Sequence, residues 1–492
     1  MAAWSLARWL APWLTLDDER PIAAPSLDSR GIEPGGVFLA CAGSAGHGVS
    51  YLDSALAAGA CAVIWEPAAD VDSRQVERMC ERAGARAIAW DGLSRQVGFM
   101  AARYYDNPSA QLVLIGVTGT DGKTSVTQFI ARSMGGGRGS CGVIGTLGWG
   151  WPDDLAPTAL TTPDAVTLQS WLASLRQCGA TAVAMEVSSH ALAQERVSAL
   201  DFDVAVLTNL GHDHLDYHGS MAAYRAAKRR LFDLGDPVPV LNLEDPWGLL
   251  LVEELAQRSP VGYSLIRHSK TRVWCADFQA FPGGMRLEVA TEQQRQGVKL
   301  PLIGRFNALN VLATAGGLLA GGIEANALAQ RLGAIRPVPG RMEPIRRGGG
   351  PTVIVDYAHT PGALTAAVQA VREHCMGWLW LVFGCGGERD RDKRAAMGAI
   401  ASERADRVVL TNDNPRHEDP AAIITDIRNG AGSQAIVILD RREAIRHALS
   451  RAATSDCVLI AGKGHEDWQT IGHEQHAFSD REEAAAALEE VC

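Results

Sequence analysis

The chain has 492 residues, 47% of them hydrophobic and 21% charged, with a formal net charge of −10. That length exceeds one compact core and implies several domains, and the composition is globular with no disordered bias. The negative charge argues against phosphate-backbone binding, so nucleic acid is not expected as a partner, and no apolar run reaches membrane-spanning length.

The ten cysteines form no CxxC pair or zinc-finger spacing, which points to reduced thiols rather than a disulfide framework. The opening MAAWSLARWLAPWL is apolar and tryptophan-rich, but Arg8 and Pro12 interrupt it and no small-residue cleavage site precedes LDDER. A cytoplasmic enzyme is expected, without membrane association.

Residues 1–107 read as a small α/β domain. Short apolar runs, Val37–Ala40, Cys61–Glu66 and Ala85–Trp90, alternate with helical or turn-rich pieces. SLDSRGIEPGG before the first run and AGSAGHG after it could each cradle an anion, though on their own such segments are more often plain surface turns. A helical pattern over Ser94–Tyr105 and then Asn107-Pro108 close the domain.

A second domain, 108–336, opens on LVLIGVTGTDGKTSV. An apolar run leads into a glycine-rich turn, and Val126, Phe129, Ile130 and Met134 then recur at helical spacing. A strand, loop and helix in that order present backbone N–H groups and a helix N-terminus to an anion. Lys123 can reach the outer phosphates of a nucleotide, and the Thr124 hydroxyl can hold magnesium. The strict GxxxxGK[ST] pattern is not met, because Val117 stands where its first glycine would be. Three later apolar runs end in polar clusters, TAVAMEVSSH, DVAVLTNLGHDH and VPVLNLED, with helical patterns between them. A mainly parallel sheet covered on both faces follows. Thr271–Leu302 alternates around Pro282-Gly283-Gly284 and reads as an antiparallel addition. Helical stretches Asn307–Gly321 and Ala325–Leu332 lead to the linker RPVPGR.

The third domain, 337–492, repeats the arrangement of apolar strand and polar loop in TVIVDYAHT, LWLVFGCGG, DRVVLTNDNPR and DCVLIAGKGH. This is a Rossmann-like doubly wound sheet, but without GxGxxG after its first strand, so no nicotinamide cofactor is indicated.

Several clusters carry candidate chemistry. Glu186 closes an apolar run, and GHDHLDYH gathers His212, His214, Asp216 and His218. The cluster suits oxygen-rich magnesium coordination with one histidine assisting. Zinc in a metallo-hydrolase, or a polar loop without metal, remains open. Lys228 sits beside Arg229 and Arg230 on an apparent helix, where a solvated basic face is the plain reading. Thr161–Asp164 is a turn with two hydroxyls. In DNPR, Arg416 offers a planar fork for a carboxylate and Asp413 a partner for an ammonium, though the four residues also make a good turn and helix start. Arg389 and Glu466 add one charge of each sign at neighbouring strand ends. A nucleotide loop, a magnesium cluster and a zwitterion pocket together imply ATP-driven amide synthesis, in which phosphorylation gives a carboxylate a good leaving group.

The motifs GVTGTDGKTS, TTPD, MEVSSHAL, HDHLDYH, YRAAK, GRFNALN, VPGRME, VDYAHTP, FGCGGERD, DNPR and GKGHED occur in that order through all three domains. Together they resemble the Mur ligase family, and the DNPR form resembles its diaminopimelate-adding branch. The resemblance implies a cytoplasmic, monomeric enzyme of peptidoglycan synthesis. Its substrates would be ATP, UDP-MurNAc-L-Ala-D-Glu and meso-diaminopimelate, joined through an acyl phosphate.

By position, Leu27, Ser29, Ser44, Ala45 and Gly46 match the family's UDP-sugar contacts. Thr161, Thr162, Ser189, Gln194 and Arg196 match contacts to the muramoyl-dipeptide. Gly119, Thr120, Asp121, Gly122, Lys123, Thr124 and Ser125 match the ATP loop, and Asn307, Arg341 and Asp356 the other ATP contacts. Arg389, Asp413, Asn414, Pro415, Arg416, Gly462 and Glu466 match the diaminopimelate pocket. Catalysis is implied for Lys123, Lys228, Glu186 and His214. Two magnesium ions would be held by Thr124, Glu186, His214 and Lys228, the lysine carrying a CO2-derived carbamate. Three positions depart from the family: Asp121 and Leu160 where relatives carry Asn, and Ser44 where some carry His. A lysine-adding ligase, folylpolyglutamate synthase and a nucleotide switch are the remaining alternatives, beside the metallo-hydrolase.

Overall fold

The computed structural model describes residues 4–43, 46–135 and 140–491. Ser44 and Ala45, expected at the UDP-sugar loop, lie outside the described residues. The chain divides into two compact units. One comprises Met1–Leu241, Asp245–Val261 and Ala320–Gly322, and the other Asn242–Glu244, Gly262–Leu319 and Ile323–Cys492.

In the first unit, strands Pro25–Ser26, Val37–Ala40, Ala62–Trp65 and Arg86–Ala89 form a parallel sheet in that order. The tryptophan-rich opening supplies part of its core: Leu6, Trp9 and Leu10 are buried with Val97, Met100 and Ala101 of the helix Leu93–Tyr104. The same core takes in Ala165, Val166 and Ala173 of the helix Ala165–Gln177, so the N-terminal sheet rests directly on the part of the unit that carries the glycine loop.

That second part is a sheet ordered Asp154–Ala156, Gly148–Trp151, Cys141–Gly145, Ala182–Glu186, Val113–Thr118, Phe202–Leu207, Gly235–Asn242. From Cys141–Gly145 onward the strands are parallel, and the two at the other end form antiparallel hairpins. Val113–Thr118 is central because its residues, Leu114, Ile115 and Val117 among them, are buried on both faces. The helix that follows the glycine loop, Lys123–Ser133, buries Val126, Phe129 and Ile130, each worth roughly 1.5–3 kcal/mol on leaving water. Asp164 caps the helix Ala165–Gln177 by accepting from Val166 and Thr167 N–H, which gives the TTPD turn its last residue, a cap worth about 1 kcal/mol.

In the second unit, Thr271–Phe281, Gly284–Thr291 and Arg295–Leu300 pair antiparallel, as the alternating pattern predicts. The helix Arg305–Ala320 begins two residues before the expected one. The C-terminal sheet runs Glu343–Ile345, Thr352–Asp356, Cys457–Ala461, Leu379–Phe383, Arg407–Leu410, Ile436–Val437, parallel except for its first strand. His374 ties the two pieces together: Nε2 accepts from Gly304 N–H at 3.0 Å and Nδ1 lies 2.9 Å from the Phe281 carbonyl. One ring nitrogen must accept and the other donate, so the contact requires a neutral imidazole with its proton on Nδ1. A hairpin of Trp468–Ile471 and Glu474–Ala477 stands outside this sheet and was not anticipated from the sequence.

Candidate active site

The glycine loop leaves the carboxyl end of Val113–Thr118, between the ends of its two neighbours, where parallel sheets open a crevice. Gly119 has φ 151°, and a Cβ there would overlap Thr208 Oγ1, so only glycine fits. Thr208 Oγ1 donates to the Asp121 carbonyl at 2.5 Å, and Asn209 Oδ1 accepts from Asp121 N–H at 2.8 Å. The Asp121 side chain is exposed, with Asn209 Nδ2 at 3.4 Å from its carboxylate. Neither Thr208 nor Asn209 was singled out in the sequence, although both follow the apolar strand Phe202–Leu207.

Two lysines converge on this loop. Lys123 Nζ donates to the carbonyls of Gly119 at 3.0 Å and Thr120 at 2.8 Å. Lys228 Nζ donates to the same Gly119 carbonyl at 2.7 Å from the helix Met221–Arg229 and is 1% exposed. Burial first, and then the charge of Lys123, bring the Lys228 amine down to about 6, so it is neutral at physiological pH. Tyr224, one turn earlier, packs its ring 4.5 Å from Lys228 Nζ, and its hydroxyl lies 3.2 Å from Thr120 Oγ1. Tyr224 was missed, though its spacing of four from Lys228 places both on one helix face.

Thr124 Oγ1 donates to Glu186 Oε2 at 2.9 Å. Glu186 is 1% exposed at the end of Ala182–Glu186, and its Oε1 accepts from Thr146 N–H at 2.7 Å. A Cβ on Gly145 would strike this carboxylate, so the adjacent strand leaves room for it. A hydroxyl and a buried carboxylate side by side are hard oxygen donors that fit magnesium. Lys228 could serve a second ion only as a carbamate, since an amine is a poor magnesium ligand. Among the described residues, no group of three His, Cys, Asp or Glu could hold a metal unaided. His214, left-handed at φ 51° and half-exposed, lies 3.4 Å from the Asp213 carboxylate. Its ring meets those of His190 at 4.7 Å and Tyr224 at 6.4 Å.

The predicted dipeptide contacts come together beside Glu186. Thr162 Oγ1 donates to the Glu186 carbonyl at 2.8 Å, and Thr161 Oγ1 lies 3.0 Å from Thr146 Oγ1. Arg196 donates to the Thr162 carbonyl at 2.8 Å and to Gln194 Oε1, while Gln194 Nε2 donates to Tyr217 Oη at 3.0 Å. Ser189 Oγ lies 3.0 Å from His218 Nε2. Leu160 is exposed and its side chain makes no polar contact. In the N-terminal sheet, Leu27 and Ser29 follow Pro25–Ser26, and Gly46 opens the short strand Gly46–His47, paired with Ala42–Gly43 after the adjacent strand Val37–Ala40, so both segments leave one edge.

In the second unit, the predicted amino-acid pocket lies at the carboxyl ends of the C-terminal strands. Asn414 Oδ1 accepts from Lys463 Nζ at 3.0 Å and Thr470 N–H at 2.9 Å, and its Nδ2 donates to Glu466 Oε2 at 2.9 Å. Arg416 Nη1 donates to the Gly387 carbonyl at 2.8 Å. Gly386 separates Arg416 from Arg389, since a Cβ there would lie 3.0 Å from Arg416 Nη1 and 3.9 Å from Arg389 Cγ. The hairpin at 468–477 braces the DNPR backbone: Arg416 N–H donates to Thr470, and Gly472 N–H to Arg416. Asp413 is buried, and burial pushes its carboxyl up against the opposing pull of Arg441 and Lys463. A Cβ on Gly462, at φ 119°, would overlap that carboxylate. Lys463, fully buried, had no mark in the sequence.

The expected ATP contacts of this unit are engaged within it. Asn307 Nδ2 donates to the Ile303 carbonyl and its Oδ1 accepts from Asn310. Asp356 accepts from Met342 and Ala358 N–H, and burial raises its carboxyl. Arg341 stacks 4.8 Å from the Tyr357 ring centroid, and its buried Nε has no hydrogen-bond partner.

Family models described as "Mur ligase family, catalytic domain", "Mur ligase middle domain" and "Mur ligase, glutamate ligase domain" match residues 22–105, 117–318 and 340–464. A protein of Alkalilimnicola ehrlichii named UDP-N-acetylmuramoyl-L-alanyl-D-glutamate–2,6-diaminopimelate ligase is 54% identical over 487 residues, 98% of each chain. A Pseudomonas aeruginosa protein of the same name is 45% identical over 472 residues, 94% of each. A solved structure of a ligase with that name superposes with a TM-score of 0.75 at 35% identity, covering 99% of both chains.

Proposed function

This chain belongs to the Mur ligase family, and from that premise we infer that it joins meso-2,6-diaminopimelate to UDP-MurNAc-L-Ala-D-Glu at the expense of ATP. It would work in the cytoplasm as a monomer built of domains 1–107, 108–336 and 337–492. Among the described residues, no helix is long and apolar enough to cross a membrane.

The reaction divides in two. A γ-carboxylate oxygen of the D-glutamyl residue attacks the γ-phosphorus of ATP, and the bond to the β,γ-bridging oxygen breaks to release ADP. The amine of diaminopimelate then attacks the acyl carbon, phosphate departs, and the nitrogen loses its proton. The backbone N–H groups of the loop and Lys123 bind the triphosphate; Lys123, now folded onto loop carbonyls, turns outward to do so. Thr161, Thr162, Ser189, Gln194 and Arg196 orient the dipeptide, and Leu27, Ser29 and the 44–46 loop hold its uridine diphosphate end. Asn307, Arg341 and Asp356 serve the remainder of the nucleotide. Arg389, Arg416 and Asp413, with Asn414, Pro415, Gly462 and Glu466 shaping the pocket, hold the carboxylates and ammonium of the incoming amino acid. Two magnesium ions, held by Thr124, Glu186, His214 and carbamylated Lys228, would supply neutralisation of the transferring phosphoryl group.

The observation that carries this reading is the meeting of Lys123 and Lys228 at the Gly119 carbonyl. A buried lysine that is neutral can add CO2 and lose a proton, turning a cation beside the phosphates into an anionic ligand. The test is an omission assay: phosphate release should require both UDP-MurNAc-dipeptide and meso-diaminopimelate, and L-lysine should not replace the latter. Release without either substrate would contradict the ligase, and equal rates with lysine would contradict the specificity.

A further inference from the structure

Below the amino-acid pocket lies an ion pair that the reaction as described does not use. Arg441, the first residue of the helix Arg441–Arg451, and Asp480, which opens the helix Asp480–Val491, are both fully buried. Arg441 Nε and Nη2 donate to the two Asp480 oxygens at 2.7 Å each. Nη1 also donates to the Asn412 carbonyl at 3.1 Å and Nη2 to the Ala461 carbonyl at 3.0 Å. Asn412 immediately precedes Asp413, and Ala461 immediately precedes Gly462. One guanidinium therefore fixes the two backbone segments that meet where the Asp413 carboxylate lies over Gly462.

We propose that Arg441, oriented by Asp480, is a positioning residue for diaminopimelate: by holding the Asn412 and Ala461 carbonyls it fixes the strand ends that place the Asp413 carboxylate to receive the substrate ammonium. The inference rests on the assignment of the DNPR pocket to diaminopimelate. Burial pushes the Asp413 carboxyl up, Glu466 and Asp480 push the same way, and the charges of Arg441 and Lys463 oppose them. The groups around it are Arg441 and Asp480 from the two helices, Lys463 and Glu466 from the loop after Cys457–Ala461, Tyr357 after Thr352–Asp356, and Cys385 after Leu379–Phe383. Lys463 donates to the side chains of Asn414 and Glu466, whereas Arg441, beside its pair with Asp480, reaches the backbone on both sides of the Asp413 carboxylate. A salt bridge kept only for stability has no need to reach both strand ends. A pair this deeply buried is a weak source of stability in any case.

The experiment compares Arg441→Met, Arg441→Lys and Asp480→Asn with the unaltered enzyme, measuring KM for each substrate, and kcat, across the pH range where the wild type is active. Arg441→Met is expected to raise KM for diaminopimelate by about tenfold or more, with KM for ATP and for the UDP-dipeptide within about twofold. That rise should steepen as pH falls, because Asp413 loses a cation that opposes the upward push of burial on its carboxyl. Arg441→Lys keeps the charge but not the fork, so it should raise KM for diaminopimelate while keeping the wild-type pH profile. Asp480→Asn should raise the same KM and serves where Arg441→Met does not fold. Parallel changes in all three KM values, or a diaminopimelate KM in Arg441→Lys and Asp480→Asn equal to wild type, would overturn the proposal. A wild-type enzyme whose phosphate release ignored diaminopimelate would instead fault the underlying pocket assignment.

Discussion

Replacing Lys228 by methionine should abolish turnover and yet stabilise the unmodified chain. An ordinary lysine titrates at 10.5 and Lys228 at about 6. Between those values the unfolded chain binds a proton that the folded chain does not, so stability rises with pH across that window. Near pH 7.5 the folded chain forgoes the proton across about 3 pH units, a cost of about 4 kcal/mol; near pH 9 the cost is about 2 kcal/mol. Below the folded value the cost levels off. Methionine, of similar length, removes this cost but loses the 2.7 Å hydrogen bond to Gly119, worth about 1 kcal/mol. The net gain is then about 3 kcal/mol near pH 7.5 and about 1 kcal/mol near pH 9. The assay is urea unfolding of both chains at the two pH values, in CO2-depleted buffer without nucleotide, beside a turnover measurement. A destabilised variant, an equal gain at both pH values, or retained turnover would refute the reasoning.

Lys228→Ala should lose nearly all activity and recover part of it with formate or acetate, which can stand in for the carbamate; no recovery would count against that role. Glu186→Gln, able to keep the Thr146 hydrogen bond, should raise the magnesium needed for half-maximal rate about tenfold with little change in Tm; an unchanged magnesium requirement would remove Glu186 from the metal set. Asp121→Asn should leave KM for ATP within about threefold, because the carboxylate is exposed and already paired with Asn209. Exchanging Arg416 for Ala should raise KM for diaminopimelate far more than for ATP, and the reverse order would contradict the pocket.

The longer parallel strands were legible as apolar runs ended by glycine or charge, as Ala182–Glu186 and Cys457–Ala461 show, whereas the two-residue strands Pro25–Ser26 and Ile436–Val437 are too short to leave a pattern. The hairpin at 468–477 was not, since WQTI and EQHA are largely exposed and carry no apolar alternation. Its importance comes from backbone pairing with Arg416, to which side-chain pattern is blind. Lys228 was similarly opaque: two following arginines suggest a solvated face, and only the packing of its helix against the Gly119 loop buries it. DNPR could not be separated from an ordinary turn on spacing alone. The proposal that it forms a pocket draws on Gly386, Lys463 and Glu466, which reach it from other strands. Asp121 is the reverse case, conspicuous in the sequence and resolved by one neighbour, Asn209, that had gone unremarked.

The central claim is that ATP phosphorylates the substrate carboxylate and that the amino acid then displaces the phosphate. UDP-MurNAc-L-Ala-D-Glu labelled with oxygen-18 at both γ-carboxylate oxygens tests it directly. The account predicts one labelled oxygen in each phosphate released, the other retained in the new amide, and formation of that product only when meso-diaminopimelate is present. Unlabelled phosphate, with both heavy oxygens left on the peptide, would contradict it.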